Sequence, residues 1–209
     1  MCSALTPRKT AQQARAKVTL GAIIEAAARI LETQGLDGLT TNHIAATAGV
    51  SIGSLYQYFP NKEAVIAALV QREKATLLQD FLVVATADLP ADQAISALIA
   101  ATLAHQFTRP RLALILEYIE PGLGMDADLR DTDVALIDLV TQIVRRVAPT
   151  AGPYAAQDLV AMCRAITNTA AMAGETDPAA IAPRLHRAVD GYLGIAPETN
   201  RARIATALA

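Results

Sequence analysis

Side chains that form hydrogen bonds are concentrated in one stretch of this 209-residue chain, residues 40–59, which read TTNHIAATAGVSIGSLYQYF. Hydroxyl and amide groups of this kind bind the phosphates and the base edges of DNA. Tyr56 and Tyr58 are two positions apart, so they cannot share one helical face and at least one should face solvent. Partial burial of both rings in a small helical unit is the alternative.

Histidines, cysteines and carboxylates elsewhere do not form a recognisable catalytic or metal-binding pattern. The three histidines are isolated from one another, and neither an HExxH motif nor a cysteine–histidine spacing is present. We therefore predict no enzyme activity, no catalytic residue, no metal ion and no cofactor. Four acidic residues follow a Pro/Gly loop: Asp126, Asp128, Asp131 and Asp133. We interpret them as a solvated helix start, with a divalent-cation site as the alternative.

The composition indicates a helical protein with unevenly distributed charge. Hydrophobic residues make up 53% of the chain and aromatic residues 4%, and alternation of β-branched residues is scarce, so we predict an all-α fold. The net charge is −2, but residues 1–75 carry eight Lys or Arg against five acids, and residues 76–209 carry ten against fifteen. A basic head on an acidic body is expected when one end binds phosphate.

Cysteine usage and hydropathy favour a cytoplasmic protein without membrane contact. Cys2 and Cys163 show no disulfide pattern, and no apolar run follows the basic N-terminus. The most apolar stretch, residues 94–104, is too short to cross a bilayer.

Two short predicted helices carry the polar stretch. The first begins at Thr40 or Thr41 and ends near Ala48, and Gly49 follows where the chain must turn with a positive φ. Ser51 caps the second, residues 52–58, in which only Leu55 and one or two neighbours need to be buried. Two helices joined by so tight a turn form a helix-turn-helix over residues 40–59, whose second helix enters the major groove.

The flanks of this motif identify it further. An amphipathic helix is predicted over 17–34, and the run from Leu39 to Ile66 reads LTTNHIAATAGVSIGSLYQYFPNKEAVI. Together they resemble the DNA-binding head of the tetracycline-repressor (TetR) family of transcriptional regulators, over roughly residues 17–77. The resemblance implies an N-terminal three-helix helix-turn-helix domain, followed by a C-terminal helical domain that binds a ligand and dimerises.

Ten residues are candidates for binding DNA. The resemblance points to nine of them, namely Thr41, Asn42, Ser51, Ile52, Gly53, Ser54, Tyr56, Tyr58 and Lys62, and Gln57 is added because it lies on the same short helix. We expect Thr41, Tyr56 and Lys62 to bind phosphate. The better candidates for reading bases are Asn42, Ile52, Gly53 and Gln57. Residues 1–16 are expected to be a flexible basic arm, which either solubilises the chain or contacts DNA.

The remainder should form the body. A fourth helix, from Asn61 or Lys62 to beyond Leu82, connects head to body in the family. Five more helices are predicted at 92–108, 111–120, 127–147, 154–173 and 177–194, giving about nine in all. We place the DNA-binding domain at 17–77, the effector-binding and dimerisation domain at 78–195, and a tail at 196–209. Small residues mark the contact faces of helices 8 and 9 (Ala161, Ala165, Ala170 and Ala171), and the resemblance implies that this pair forms the homodimer.

The candidate residues for an effector pocket in the body are scattered along the sequence and form no motif. Polar or soft residues interrupt otherwise apolar helices at His105, Tyr118, Met125, Met162, Asn168 and Met172. They would orient a small molecule between helices, although ordinary core packing is the alternative. Glu117 and Glu120 would favour a cationic effector, with surface exposure equally open.

We interpret the chain as a homodimeric repressor that binds a pseudo-palindromic double-stranded DNA operator and is released by a small-molecule effector. The release step is implied by the resemblance alone. A DNA-binding regulator without a ligand is the main alternative. A helical enzyme is the second, and it would need an acid, base or metal set that the sequence does not offer.

Overall fold

A computed structural model describes residues 8–87, 89–123 and 127–195. Within these ranges the regular structure is entirely helical, as predicted, and none of the helices is long and apolar enough to cross a bilayer. Nine α-helices and one 3-10 turn follow in order: α1 Arg8–Gln34, α2 Thr41–Ala48, α3 Ile52–Tyr58, α4 Lys62–Thr86, α5 Ala91–Thr108, α6 Pro110–Ile119, the turn Glu120–Gly122, α7 Ala127–Val147, α8 Ala155–Met172 and α9 Pro178–Leu193.

The chain divides into two compact units, which we call the head and the body. The head ends at Val70 and the body begins at Gln71, so α4 contributes residues to both. The sequence analysis placed this boundary after Leu77. The two positions differ because α4 contains neither glycine nor proline, and no local signal marks where its packing partners change.

α1 begins earlier than predicted. The helix starts at Arg8 and not at Lys17, so residues 8–16 are helical. Good helix formers fill this segment, and neither glycine nor proline interrupts it after Pro7. Residues 1–7 and the predicted tail, 196–209, lie outside the described residues.

The head is built on one small core. α1 packs against α2, and α2 packs against α3. Each helix of the head contributes apolar side chains that are 0–2% exposed: Ile23, Ala27, Ile30, Leu31, Leu39, Ile44, Leu55, Val65 and Leu69. Burial of this apolar area is the main source of stability for a unit of this size.

The body is a bundle in which α5 is central. α5 packs against α6, α7, α8 and α9, and α8 packs against both α7 and α9. The largest fully buried side chains include Leu112, Ile143, Ile181 and Leu185. The predicted limits of α7 are confirmed, and those of α5, α6, α8 and α9 differ by one residue at one or both ends.

Candidate nucleic-acid interface

Both ends of α2 have the predicted local geometry. Thr40 has extended backbone angles, and its Oγ1 accepts a hydrogen bond from the backbone N–H of His43 at 3.2 Å, so Thr40 is the N-cap and Thr41 the first helical residue. Gly49 has φ +69°, and its N–H donates to the Ala46 carbonyl at 3.2 Å. The tight turn therefore depends on a left-handed residue, as the sequence indicated.

α3 is held to the head by a single fully buried residue. The Oγ of Ser51 accepts a hydrogen bond from the N–H of Ser54 at 3.0 Å and caps the helix. Leu55 is 0% exposed and is the one buried residue of α3. Tyr56 and Tyr58 are 52% and 37% exposed, so at least one faces outward as predicted, while part of each ring is covered by the head.

Gly53 leaves the beginning of α3 open. A β-carbon built at this glycine would meet no heavy atom closer than the Ser51 Oγ, at 3.9 Å. Ile52, before it, is 38% exposed. The backbone can therefore approach a partner closely at this point of the helix.

The start of α4 completes the polar surface. Asn61 caps this helix, since its Oδ1 accepts a hydrogen bond from the N–H of Ala64 at 2.8 Å. Lys62 is then the first helical residue and is half-buried. Phe59, between α3 and α4, is 6% exposed and fixes the connection in the core.

All ten DNA-binding candidates lie in the head, on or immediately before α2, α3 and the first turn of α4, and none is buried. Thr41, Ser54 and Lys62 are half-buried, and the exposed ones are Asn42, Ser51, Ile52, Gly53, Tyr56, Gln57 and Tyr58. A surface rich in hydroxyl and amide donors is suited to both phosphates and base edges. Their contacts with DNA stay a prediction.

Two contacts in the head were not anticipated from the sequence. The Oγ1 of Thr41 lies 3.3 Å from the hydroxyl oxygen of Tyr56, which connects α2 to α3. The Nδ1 of His43 lies 3.0 Å from the carbonyl oxygen of Gly38, which connects α2 to the preceding loop. Both depend on how the turns bring the helices together, so residue spacing gives no signal for them.

The effector candidates that the structure describes differ widely in exposure. Tyr118 and Met172 are 82% and 79% exposed, so the core-packing alternative is wrong for these two. Met162 packs against the body core, Asn168 is half-buried, and Met125 lies outside the described residues. A solvent-open cavity of about 350 Å³ is lined by Thr150, Ala151, Gly152 and residues 191–194, none of which was a candidate.

His105 is half-buried on α5 in the body. Burial lowers the pKa of its imidazole below 6.5, and the negative charges of Glu73 and Asp80 oppose that shift. Nearby in sequence, the Nε2 of Gln106 is buried without a hydrogen-bond partner, as are the Oγ of Ser96 and the Oε1 of Gln71. Sequence reasoning missed these three groups, because a polar residue on an apolar helix does not reveal whether a neighbour pairs with it.

An ionic cluster occupies the beginning of the body. The Nζ of Lys74 contacts the Glu120 Oε1 and both carboxylate oxygens of Asp133, the latter at 2.8 and 3.0 Å. Next to it, the Gln71 Nε2 donates to the Oγ1 of Thr132 at 3.0 Å. The single positive charge of Lys74 is thus shared between Glu120 and Asp133.

The described residues form no metal-binding site and contain no activated thiol. No group of three His, Cys, Asp or Glu is close enough there to hold a metal ion, while Asp126 and the side chain of Asp128 lie outside the described part. Cys163 is a half-buried free thiol, and burial raises its pKa to about 11.

Comparison with known proteins agrees with this geometry. The model of the family described as "Bacterial regulatory proteins, tetR family" matches residues 23–69. TtgW of Pseudomonas putida, an uncharacterised HTH-type transcriptional regulator, is 32% identical over 140 residues, which cover 66% of this chain and 98% of TtgW. The HTH-type transcriptional repressor DrrR1 of Streptomyces coeruleorubidus is 33% identical over 67 residues, which cover 32% of this chain but only 25% of DrrR1.

The fold has a counterpart among solved structures as well. The transcriptional regulator FadR of Bacillus subtilis, crystallised with stearoyl-CoA, superposes with a TM-score of 0.69 at 15% identity, over 84% of this chain and 98% of FadR. At that identity the likeness shows the fold alone. Because the family model matches the head and TtgW is matched over almost its whole length, the chain belongs to the TetR family of bacterial regulatory proteins.

Proposed function

We propose that this DNA-binding regulator is a cytoplasmic homodimeric repressor that binds a pseudo-palindromic operator and leaves it when a small molecule binds the body. The observation that carries the proposal is the outward surface of α3. Leu55 anchors the helix, while Ile52, Gly53, Tyr56 and Gln57 are exposed. A short helix held by one residue can enter the major groove of B-DNA without the rest of the head obstructing it.

Six of the ten candidates take one of two roles in this proposal. Thr41, Tyr56 and Lys62 bind backbone phosphates and fix the register on the duplex. Asn42 and Gln57 carry amide groups, which pair with adenine in the major groove, and Ile52 provides an apolar contact for a thymine methyl group. The excess of Lys and Arg in residues 1–75 adds the salt-dependent part of the affinity.

The outer surface of α8 supports the proposed dimer. Ala161, Ala165, Thr169 and Met172 recur every three or four residues and are all exposed in the protomer. A row of small residues next to an exposed methionine suits close packing against a second copy of the helix. Ala170 was also predicted at this contact, but it is 0% exposed and packs inside the protomer.

Two observations support a small-molecule effector. FadR, which shares this fold, was crystallised with stearoyl-CoA. In the body of this chain, the Ser96 Oγ and the Gln106 Nε2, both on α5, are buried without a hydrogen-bond partner. Buried polar atoms are normally paired, so a ligand that supplies an acceptor and a donor would stabilise the body.

The DNA-binding part is tested by gel shift on the intergenic DNA next to the protein's own gene. Binding should fall steeply with salt, and Lys62→Ala should weaken it at every salt concentration. Arg145→Ala, which removes an exposed cation from α7, is the matched control and should bind as wild type. Wild-type affinity in Lys62→Ala would contradict the assignment of the interface.

The dimer and the effector have separate tests. Light scattering of Ala165→Glu should give a monomer, whereas Ala104→Glu, an exposed alanine on α5, should remain a dimer. A thermal-shift panel of metabolites and drugs should yield a compound that both stabilises the protein and releases it from the operator. If no compound does both, the protein is a regulator without a ligand.

A further inference from the structure

We infer that Thr41 and Tyr56 act as one phosphate-binding unit, in which Thr41 positions the tyrosine hydroxyl and the pair donates one hydrogen bond to a single DNA phosphate. This inference rests on the proposed function. It goes further, because it makes the two side chains energetically dependent on each other.

The geometry of the pair is the first argument. The Oγ1 of Thr41, on the first residue of α2, lies 3.3 Å from the Tyr56 hydroxyl in the middle of α3. In the part of the chain that the structure describes, this is the one hydrogen bond that joins side chains of the two helices. Two hydroxyls so close together reach the same oxygen-bearing group of a partner.

The hydrogen-bonding capacity of the pair is the second argument. Each hydroxyl has one proton to donate and two lone pairs to accept. When one hydroxyl donates to the other, the acceptor still has its own proton available for an external acceptor. A phosphate oxygen is such an acceptor, and hydrogen bonds to an ionised oxygen are about twice as strong as neutral ones.

Exposure is the third argument. Tyr56 is 52% exposed, and Thr41 is half-buried beside it. A ring held in position by Thr41 loses less rotational freedom when it binds than a free ring would. Thr41 is therefore a positioning residue for Tyr56, and the hydroxyl that accepts within the pair is the one that donates to the phosphate.

The test is a double-mutant cycle on operator affinity with variants that remove only the hydroxyls, Thr41→Val and Tyr56→Phe. Each single variant should lose about tenfold in affinity, and the double variant should also lose about tenfold and not about a hundredfold. The matched control is Thr41→Val combined with Tyr58→Phe, a second exposed tyrosine on α3, where the two losses should multiply.

Two further readouts separate the possible outcomes. If the pair only stabilises the head, coupling appears in the free energy of unfolding of the free protein and not in operator affinity, which would overturn the inference. Losses that multiply in the Thr41/Tyr56 double variant would overturn it as well. The slope of log affinity against log salt should stay unchanged in both hydroxyl variants and fall by about one in Lys62→Ala.

The proposed function and this inference fail in different ways. If wild type and Lys62→Ala bind the operator equally, the interface itself is misassigned. If Lys62→Ala binds more weakly but the affinity losses of Thr41→Val and Tyr56→Phe multiply, the assignment of the interface stands. Only the inference that the two hydroxyls bind one phosphate as a unit is then wrong.

Discussion

The head and the body both bury apolar side chains, but they use polar side chains in different ways. In the head, Thr40, Ser51 and Asn61 each accept a hydrogen bond from a backbone N–H three residues ahead. In the body, Lys74 pairs with partners 46 and 59 residues away. The cap residues of the head therefore stabilise local structure, whereas Lys74 stabilises long-range packing in the body, and substitutions at these positions should affect the two units differently.

The largest expected effect is the loss of the α3 anchor. Leu55→Ala should lower the free energy of unfolding of the head by about 3 kcal/mol, because it removes a fully buried side chain and leaves a cavity. Urea denaturation followed by amide hydrogen exchange of α1, α2 and α3 measures this, because exchange is assigned to the helices of the head separately from those of the body. Leu185→Ala, in the core of the body, is the matched control. If Leu55→Ala and Leu185→Ala destabilise one common unfolding transition equally, the head and the body unfold together. Substitutions would then not affect the two units differently.

Lys74 offers the next largest effect, and it lies in the body. Lys74→Met should destabilise the protein by about 2 kcal/mol, because Glu120 and Asp133 then face each other without a cation. The Lys74 side chain is only 15% exposed, which places the pair between surface and buried ion pairs. Lys17→Met removes an exposed lysine from α1 and should change the free energy of unfolding by less than about 0.5 kcal/mol. Adding Glu120→Gln to Lys74→Met should recover part of the loss.

Removal of the cap of α3 should have a smaller effect. Ser51→Ala deletes the acceptor of the Ser54 N–H and should lower the stability of the head by about 1 kcal/mol. Because a cap acts locally, amide hydrogen exchange should accelerate in α3 while α7 and α8 stay unchanged. Ser51→Asp keeps an acceptor at the cap and should retain most of the stability. Faster exchange throughout the body would contradict local control of the head.

The smallest effect concerns pH and His105. Because burial lowers the pKa of His105 below 6.5 in the folded body, the unfolded chain binds the proton more readily. The free energy of unfolding should therefore fall as the pH drops below about 6.5, and His105→Asn should reduce that fall. Chemical denaturation of both proteins at several pH values measures the difference. If the free energy of unfolding falls more steeply with decreasing pH in His105→Asn than in wild type, the direction of the pKa shift of His105 is wrong.

Local signals explain which parts of the fold were predictable. The limits of α3 follow from Ser51 and those of α2 from Thr40 and Gly49, since each residue acts on a neighbour in sequence. No residue between Arg8 and Lys17 interrupts a helix, so no local signal distinguished Arg8 from Lys17 as the start of α1. The boundary at Val70 was missed because it depends on which side chains α4 contacts and not on its own residues.

Local sequence signals also explain which candidate sites were predictable. The DNA-binding candidates all lie in the head because residues 39–66 contain them all, and the exposure of those on α3 agrees with Leu55 being its one buried residue. The effector candidates were chosen only because they interrupt apolar helices. Such an interruption has the same sequence pattern whether the side chain packs against the body core, as Met162 does, or faces solvent, as Tyr118 and Met172 do.

The reactivity of the Cys163 thiol depends on how often the body opens. With a pKa of about 11, on the order of one molecule in ten thousand carries the reactive thiolate at pH 7, so alkylating reagents modify the folded protein slowly. Each opening of α8 that admits water would return the thiol to its ordinary reactivity. The rate of alkylation at this cysteine therefore reports how often the body opens, with no added probe, and a ligand that tightens the bundle would slow that rate.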